Sequence, residues 1–433
     1  MKGFLSTFQI VTASVIGATA LVAYVYRKTL SRLVTVHTLF DEKRIVWNFR
    51  NTTKLGFPYA EIKRSGKVAR FQERKKQVTL PKTFKFKDKI FEMEKYLRDH
   101  WTTGLVVLKR HENDNAELLF EKYYRGNDRD SKCVSWSMCK SVVSACIGVA
   151  VDKYMLNIEK MTKDYVPALK KSGYANVKVK DLLQMSSGIR FDEDYFNPLS
   201  DINIMGYTVA LGWSMDGFVA KMKNERKPGM YNQYVSMDTQ VLKMILEHVS
   251  GMPFSSFLEK HIWNKIGFES DATILMDNER DRAELAFGIL AMTTRDYARF
   301  GWMYLNQGVS PVDSNVQIIS KNYIRDSLTA DAPHLQPGPT GLSDYPSFGY
   351  GYQWWLLPEE DDENKLASDF MAIGVYNQFI YVSPEHNIVI AKNSAYPHYD
   401  SQQDPKTHEN FSETEACALF RAIAKHVSLE CDE

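Results

Sequence analysis

Cysteine is scarce in this chain, and what there is forms no pattern. The five cysteines, Cys133, Cys139, Cys146, Cys417 and Cys431, are odd in number and include no Cys-x-x-Cys pair. Neither a disulfide framework nor a zinc site follows from them. Three fall in one apolar stretch, where a small buried thiol is the ordinary reading. An excess of charge is missing too. Lys and Arg number 54 against 53 Asp and Glu, a formal net charge of +1, so there is no electrostatic footprint for nucleic acid. The ten histidines show no His-Glu-x-x-His or other metal spacing. No metal or organic cofactor is expected, and no internal repeat is visible. What is present is a chain of 433 residues, 44% hydrophobic and 12% aromatic. That is enough to bury a large core and too apolar for general disorder.

One long uncharged run stands out. From Phe4 to Tyr26 no residue is charged and most are apolar or small, about the length of one membrane-spanning helix. Ala18-Thr19-Ala20 has the small-x-small form of a signal-peptide cleavage site. The run nevertheless continues to Tyr26 and stops at Arg27-Lys28. The expectation is therefore an uncleaved anchor over residues 1–28, with the membrane as partner and a single-pass location. Lys2 precedes the run, while Arg27, Lys28 and Arg32 follow it, which favours a cytoplasmic main domain. Residues 29–80 read as a basic juxtamembrane arm. Its Arg70, Arg74, Lys75 and Lys76 would meet either anionic headgroups or solvent. The globular domain then covers residues 81–433.

Within it, Ile90, Met93 and Leu97 have helical spacing. The stretches 104–109 and 116–124 read as two strands of a hairpin around a polar turn. The middle, about 150–330, is rich in helical patterns such as 240–249, 254–262 and 294–305. Strand patterns return at 350–357, 378–382 and 387–391, followed by a last helix over 413–427. Strands from both ends predict a mixed α/β (α+β) fold: one antiparallel sheet flanked by helices, with an all-helical region inserted in it.

The strongest chemical feature is Ser137-Met138-Cys139-Lys140, at the start of an uninterrupted apolar helix pattern over 137–151. Residues three and four apart share a helix face. Ser137, Lys140, Ser141, Ser144 and Gly148 thus form one small or polar face, opposite Val142, Val143, Cys146, Val149 and Ala150. A lysine buried there is costly as a cation, so its pKa should fall toward neutrality and make it a proton acceptor. A serine in the first turn sits in the positive field of the helix N-terminus. Alone the pattern is weak, since Ser-x-x-Lys arises about once by chance in a chain this long. A second element follows Pro228-Gly229: Tyr234-Val235-Ser236, placed just before a helix from about Asp238 to Val249. A tyrosine there can act as a phenolate or relay a proton, although most tyrosines simply pack in cores. A third is Gly374, where close backbone approach would let the amide of Val375 serve as an oxyanion donor beside that of Ser137. Tyr352, Trp354, Trp355 and Tyr376 suggest an aromatic lining.

Taken together, Ser137 to Lys140, DLLQMSSG at 181–188, Pro228 to Ser236, GILAMTTRDYARFG at 288–301, GYGYQWW at 349–355 and Gly374 to Pro384 occur in a telling order and spacing. They resemble the β-lactamase-related serine hydrolases: class C β-lactamases, family VIII-type esterases and 6-aminohexanoate-dimer hydrolases. The resemblance spans residues 85 to 430. It implies a β-lactamase/transpeptidase-like fold with the site at the junction of sheet and helical region. It also implies that Ser137 is acylated, that Lys140 activates it, that Tyr234 passes its proton to the leaving group, and that Ser236, Gly374 and Val375 meet the substrate. Such enzymes usually work outside the cytoplasm, which opposes the flanking charges on orientation. Two departures matter. The second motif ends in Ser236 rather than Asn. The Lys-Thr-Gly of true β-lactamases is Ala372-Ile373-Gly374, so the lysine that would clamp a substrate carboxylate is missing. A small ester or amide lacking that carboxylate is the expected substrate. The alternatives are a catalytically inactive membrane-tethered scaffold of the same fold, and a penicillin-binding carboxypeptidase.

Overall fold

The computed structural model describes residues 27–111, 115–195, 197–399 and 410–432. Its larger sheet has eight strands, in the spatial order Gly349–Tyr350, Trp355–Pro358, Leu366–Gly374, Gln378–Ser383, Ile388–Ser394, Thr102–Arg110, Ala116–Tyr123 and Gln72–Glu73. Neighbours are antiparallel except the last pair. The two ends of the chain meet in the middle of the sheet, where Ala391 lies opposite Val106. Four helices frame the rest: α1 (Met138–Asp152), α2 (Ser236–Ser250), α3 (Thr294–Leu305) and α4 (Phe411–Asp432).

Strand Gln378–Ser383 is buried along its whole length, and its alternation explains why. Phe379 and Tyr381 meet Phe420 of α4. Ile380 and Val382 point the other way, against Gly301 of α3. Successive side chains of a strand face opposite sides, so a sheet covered on both faces needs apolar residues at every position. Helix α3 begins at Thr293, whose hydroxyl accepts the Asp296 N–H, an N-cap that satisfies one of the first-turn donors. Helix α2 ends at Gly251 in the left-handed region, φ 67°, the usual way to close a helix C-terminus. Helix α1 lies between the sheet and α2, and its residues 138–150 are all buried. Its small face admits other elements. Ser141 donates to the Gln353 carbonyl at 2.6 Å, and Gly148 sits against the Tyr323 ring.

Four expectations need correction. The anchor expected over residues 1–28 falls almost entirely on residues 1–26, outside the described ones. Among the described residues no helix is long and apolar enough to cross a membrane. The transmembrane helix, the membrane partner and the single-pass location are therefore not supported. Two of the charges read as flanking a span, Lys28 and Arg32, pair with Glu279. Residues 27–37 form a helix whose Arg32 is buried and donates to the Gly56 carbonyl (2.9 Å) and to Glu279 (2.8 Å).

Second, the stretch 29–80, read as an arm, lies on the domain. Tyr59–Ile62 pairs with Ala272–Leu275 in a second, four-stranded sheet completed by Leu290–Thr293 and Lys132–Val134. Third, the region about 150–330 is therefore not all helical. Its strands are apolar runs of four residues, buried throughout, and so short a run carries no periodicity that separates strand from helix. Fourth, the single strand expected over 350–357 is two short strands. Gln353 has φ 61°, and a Gly351 N–H to Trp354 carbonyl bond turns the chain back.

Gly148→Ala provides a test of the α1 packing. In an open helix the change would stabilise by about 1 kcal/mol. Here the added Cβ would lie 2.5 Å from the Tyr323 ring, and overpacking costs roughly 1–3 kcal/mol. We expect a net loss, read as a lower urea midpoint at unchanged slope; a higher midpoint would contradict the packing.

Candidate active site

The N-terminus of α1 is reached through a constrained backbone. Trp136 has φ 42°, left-handed for a bulky residue and a conformation costing about 1–3 kcal/mol. Its ring is held among Phe40, Phe49 and Tyr376. Ser137 follows at the N-cap position with φ −64° and ψ −9°, one turn ahead of Lys140. The Lys140 side chain is 2% exposed. Its Nζ lies 3.0 Å from Ser137 Oγ, 3.4 Å from Ser236 Oγ and 2.6 Å from the Phe287 carbonyl oxygen. Burial lowers its pKa from 10.5 to about 8, against a smaller upward pull from the Glu193 carboxylate. The neutral amine is then a minority form at neutral pH and grows as the pH rises through about 8.

Tyr234 borders the small cavity beside Ser137, and burial holds its phenol well above its ordinary pKa, against a smaller opposing effect of Ser137. It is protonated at neutral pH, which decides between the phenolate and the proton relay in favour of a donor. Its ring stacks on Trp355 at 5.6 Å and meets Tyr345 edge-on, while Lys140 Nζ lies 5.0 Å from the ring centre. Ser236 opens α2 rather than preceding it. Its N–H donates to Glu193 at 2.7 Å. Ser236 thus links Glu193 to Lys140 without direct contact between the charged groups.

Gly374 ends its strand against the backbone of Ser135 and Ser137. A Cβ there would lie 2.5 Å from the Ser135 carbonyl oxygen and 3.1 Å from Ser137 N. Any side chain would push the strand away. Val375 is the next residue, and neither its N–H nor that of Ser137 donates to another described residue. Ser137, Lys140, Tyr234, Ser236, Gly374 and Val375 are thus all brought to one point. The aromatic lining is only partly as expected. Trp355 borders the site, but Trp354 packs on Phe300 and Tyr304, Tyr352 on Tyr323, and Tyr376 on Phe40.

Two chambers open on Ser137. One of about 340 Å³ is mainly apolar, with walls from Leu39, Phe40, Phe49, Ile202, Met205, Leu285 and Val375. The other, about 50 Å³, is bordered by Glu193, Tyr195, Tyr234, Tyr345, Trp355, Tyr399 and Glu413. Glu193, the Phe287 carbonyl and the Leu39–Phe49 wall escaped the sequence reading. A carbonyl has no residue signature. Glu193 sits in an acidic, unpatterned stretch. The wall lies in what looked like a linker.

A two-faced sheet, a helix-rich lobe and a serine one turn from a buried lysine at their junction define the architecture of the penicillin-recognising serine enzymes. The Beta-lactamase family model matches residues 93–410, and the chain belongs to that family. Over 318 residues it is 27% identical to the 6-aminohexanoate-dimer hydrolase of Paenarthrobacter ureafaciens, covering 72% of this chain and 77% of that one. A candidate 6-aminohexanoate-dimer hydrolase from Bacillus anthracis shares the fold with a TM-score of 0.75 at 21% identity, over 90% of this chain and 96% of its own. A class C β-lactamase from Rhodobacter sphaeroides does so with a TM-score of 0.53 at 12% identity, over 77% and 97%. The family resemblance read from the sequence holds, and these relatives are hydrolases by name.

The Glu193 charge raises the Lys140 pKa, so removing it must lower that pKa. In Glu193→Gln, the pH at which Ser137 becomes half-maximally reactive toward a phosphonate probe should move below about 8. An upward move would reverse the assigned sign.

Proposed function

We propose that this chain is a serine hydrolase that cleaves an ester or amide through an acyl-enzyme on Ser137. The observation that carries the reading is the 3.0 Å approach of a buried, pKa-lowered lysine to a half-buried serine hydroxyl. Neutral Lys140 takes the Ser137 proton as Oγ attacks the carbonyl carbon. The oxyanion that forms faces the N–H groups of Ser137 and Val375 at the positive end of α1. Tyr234 gives its proton to the departing oxygen or nitrogen and is reprotonated from Lys140. The carbonyl–heteroatom bond breaks and leaves Ser137 acylated. Water then attacks the ester by the reverse proton path, releasing the acid and restoring the hydroxyl.

The absent motif lysine supports an ester or amide without a clamped carboxylate. Ala372 and Ile373 are buried and apolar. Among the described residues bordering the two chambers, Lys140 is the only lysine or arginine, and Glu193 and Glu413 border the smaller one. A free carboxylate would meet like charge there. We therefore expect no labelling by fluorescent penicillin under conditions where a fluorophosphonate adds to Ser137; penicillin labelling would favour the carboxypeptidase reading.

Ser137→Ala should reduce ester turnover by at least about 10⁴-fold, as loss of a nucleophile does in other serine hydrolases, with an unchanged thermal melt. Undiminished hydrolysis would reject the role. For the wild type, kcat/KM should rise with pH through about 8, because the reactive form of Lys140 is the deprotonated one. A profile that falls through the same range would rule out the amine as the base.

A further inference from the structure

We infer that the apolar chamber beside Ser137 is an acyl-chain pocket, so that the substrate is an ester or amide of a medium-length aliphatic acid. This rests on the acyl-enzyme reading above and deepens it. The chamber, about 340 Å³, falls in the ordinary size range of pockets for small organic ligands, roughly 300–1,000 Å³. Apolar side chains close it from several directions: Leu39 and Phe49 from the N-terminal segment, Ile202 and Met205 from helix Asp201–Ala210, and Leu275 and Leu285.

The amide nitrogens that also border it are turned to main-chain carbonyls. Asn48 Nδ2 donates to the Thr38 and Leu39 carbonyls at 3.1 and 2.8 Å. Asn203 Nδ2 donates to the Tyr195 and Asn197 carbonyls at 3.1 and 2.9 Å. An elongated apolar chain is what such a lining accepts.

The direction of binding follows from Tyr234. The phenol that protonates the leaving atom borders the small chamber and not the large one. The leaving group therefore departs through the small, tyrosine- and carboxylate-lined side, and the acyl remainder lies on the apolar side. The family match begins at residue 93, whereas Leu39 and Phe49 precede it, so this wall lies outside the matched region.

Gly206 provides a handle on chamber length. It lines the chamber next to Val36, where a Cβ would lie 3.8 Å from Val36 Cγ1. An aromatic ring there would take up part of the chamber's volume. The experiment measures acid release by the full chain from ethyl acetate, butyrate, octanoate and decanoate, which keeps the leaving group small and constant. Each methylene moved from water into an apolar pocket is worth about fourfold. The wild type should therefore favour octanoate over butyrate by roughly 10²-fold in kcat/KM. Gly206→Phe should cut that ratio at least about tenfold. Ile202→Trp does the same from a second wall if the first variant fails to fold.

Ser137-dependent turnover with acetate or butyrate as the best substrate, or an octanoate-to-butyrate ratio that both folded variants leave unchanged, overturns the acyl-chain pocket while leaving the hydrolase reading intact. No turnover at any chain length, together with no phosphonate adduct on Ser137, overturns both.

Discussion

An amine that loses its water without gaining a carboxylate governs this site. Lys140 is held by a main-chain carbonyl and two hydroxyls, and none of these neutralises a cation. Desolvation then favours the neutral amine. The same burial acts in the opposite sense on Tyr234, because the charged form of a phenol is the deprotonated one. One dry environment thus shifts the two pKa values in opposite directions: it enlarges the minority of neutral lysine that can accept a proton and keeps the tyrosine in the form that can give one. Acid and base assignments commonly arise where a site pushes two pKa values apart in this way. Ser236 fits that scheme. Its hydroxyl contacts Lys140 and its N–H holds Glu193, so the carboxylate is felt as a modest field rather than as a neutralising ion pair.

The fold's contribution is to fix the backbone around that amine. Helix α1 is buried throughout, its N-terminal turn is preceded by the strained Trp136, and the strand ending at Gly374 closes on the Ser137 amide. The strain at Trp136 persists because its ring is wedged among Phe40, Phe49 and Tyr376. Non-glycine residues in this region of backbone space are sustained only where the surroundings over-determine them.

Much of this was legible in the residues. Ser137, Lys140 and Tyr234 carry side-chain chemistry at recognisable spacing, and the alternating strands at both ends foretold a sheet closed by the two termini. The parts that escaped have physical reasons. The Phe287 carbonyl that anchors Lys140 belongs to the backbone, which every residue shares. Strands Ala272–Leu275 and Leu290–Thr293 are too short and too uniformly apolar to show a period. The pair Arg27-Lys28 looked like a stop after an uncharged run. Arg32, a few residues on, is carried inward to Gly56 and Glu279, and no local pattern announces a partner 247 residues away.

The wall formed by Leu39, Phe40 and Phe49 has a thermodynamic consequence. That segment touches the site through side chains rather than through the hydrogen-bond ladder of the large sheet, so an opening of the segment short of global unfolding would take the wall away from the chamber. Whatever fills the chamber contacts only the docked form. Occupancy and docking are then linked functions: the occupant tightens the segment against exchange with solvent by the same free energy with which the docked segment raises the occupant's affinity.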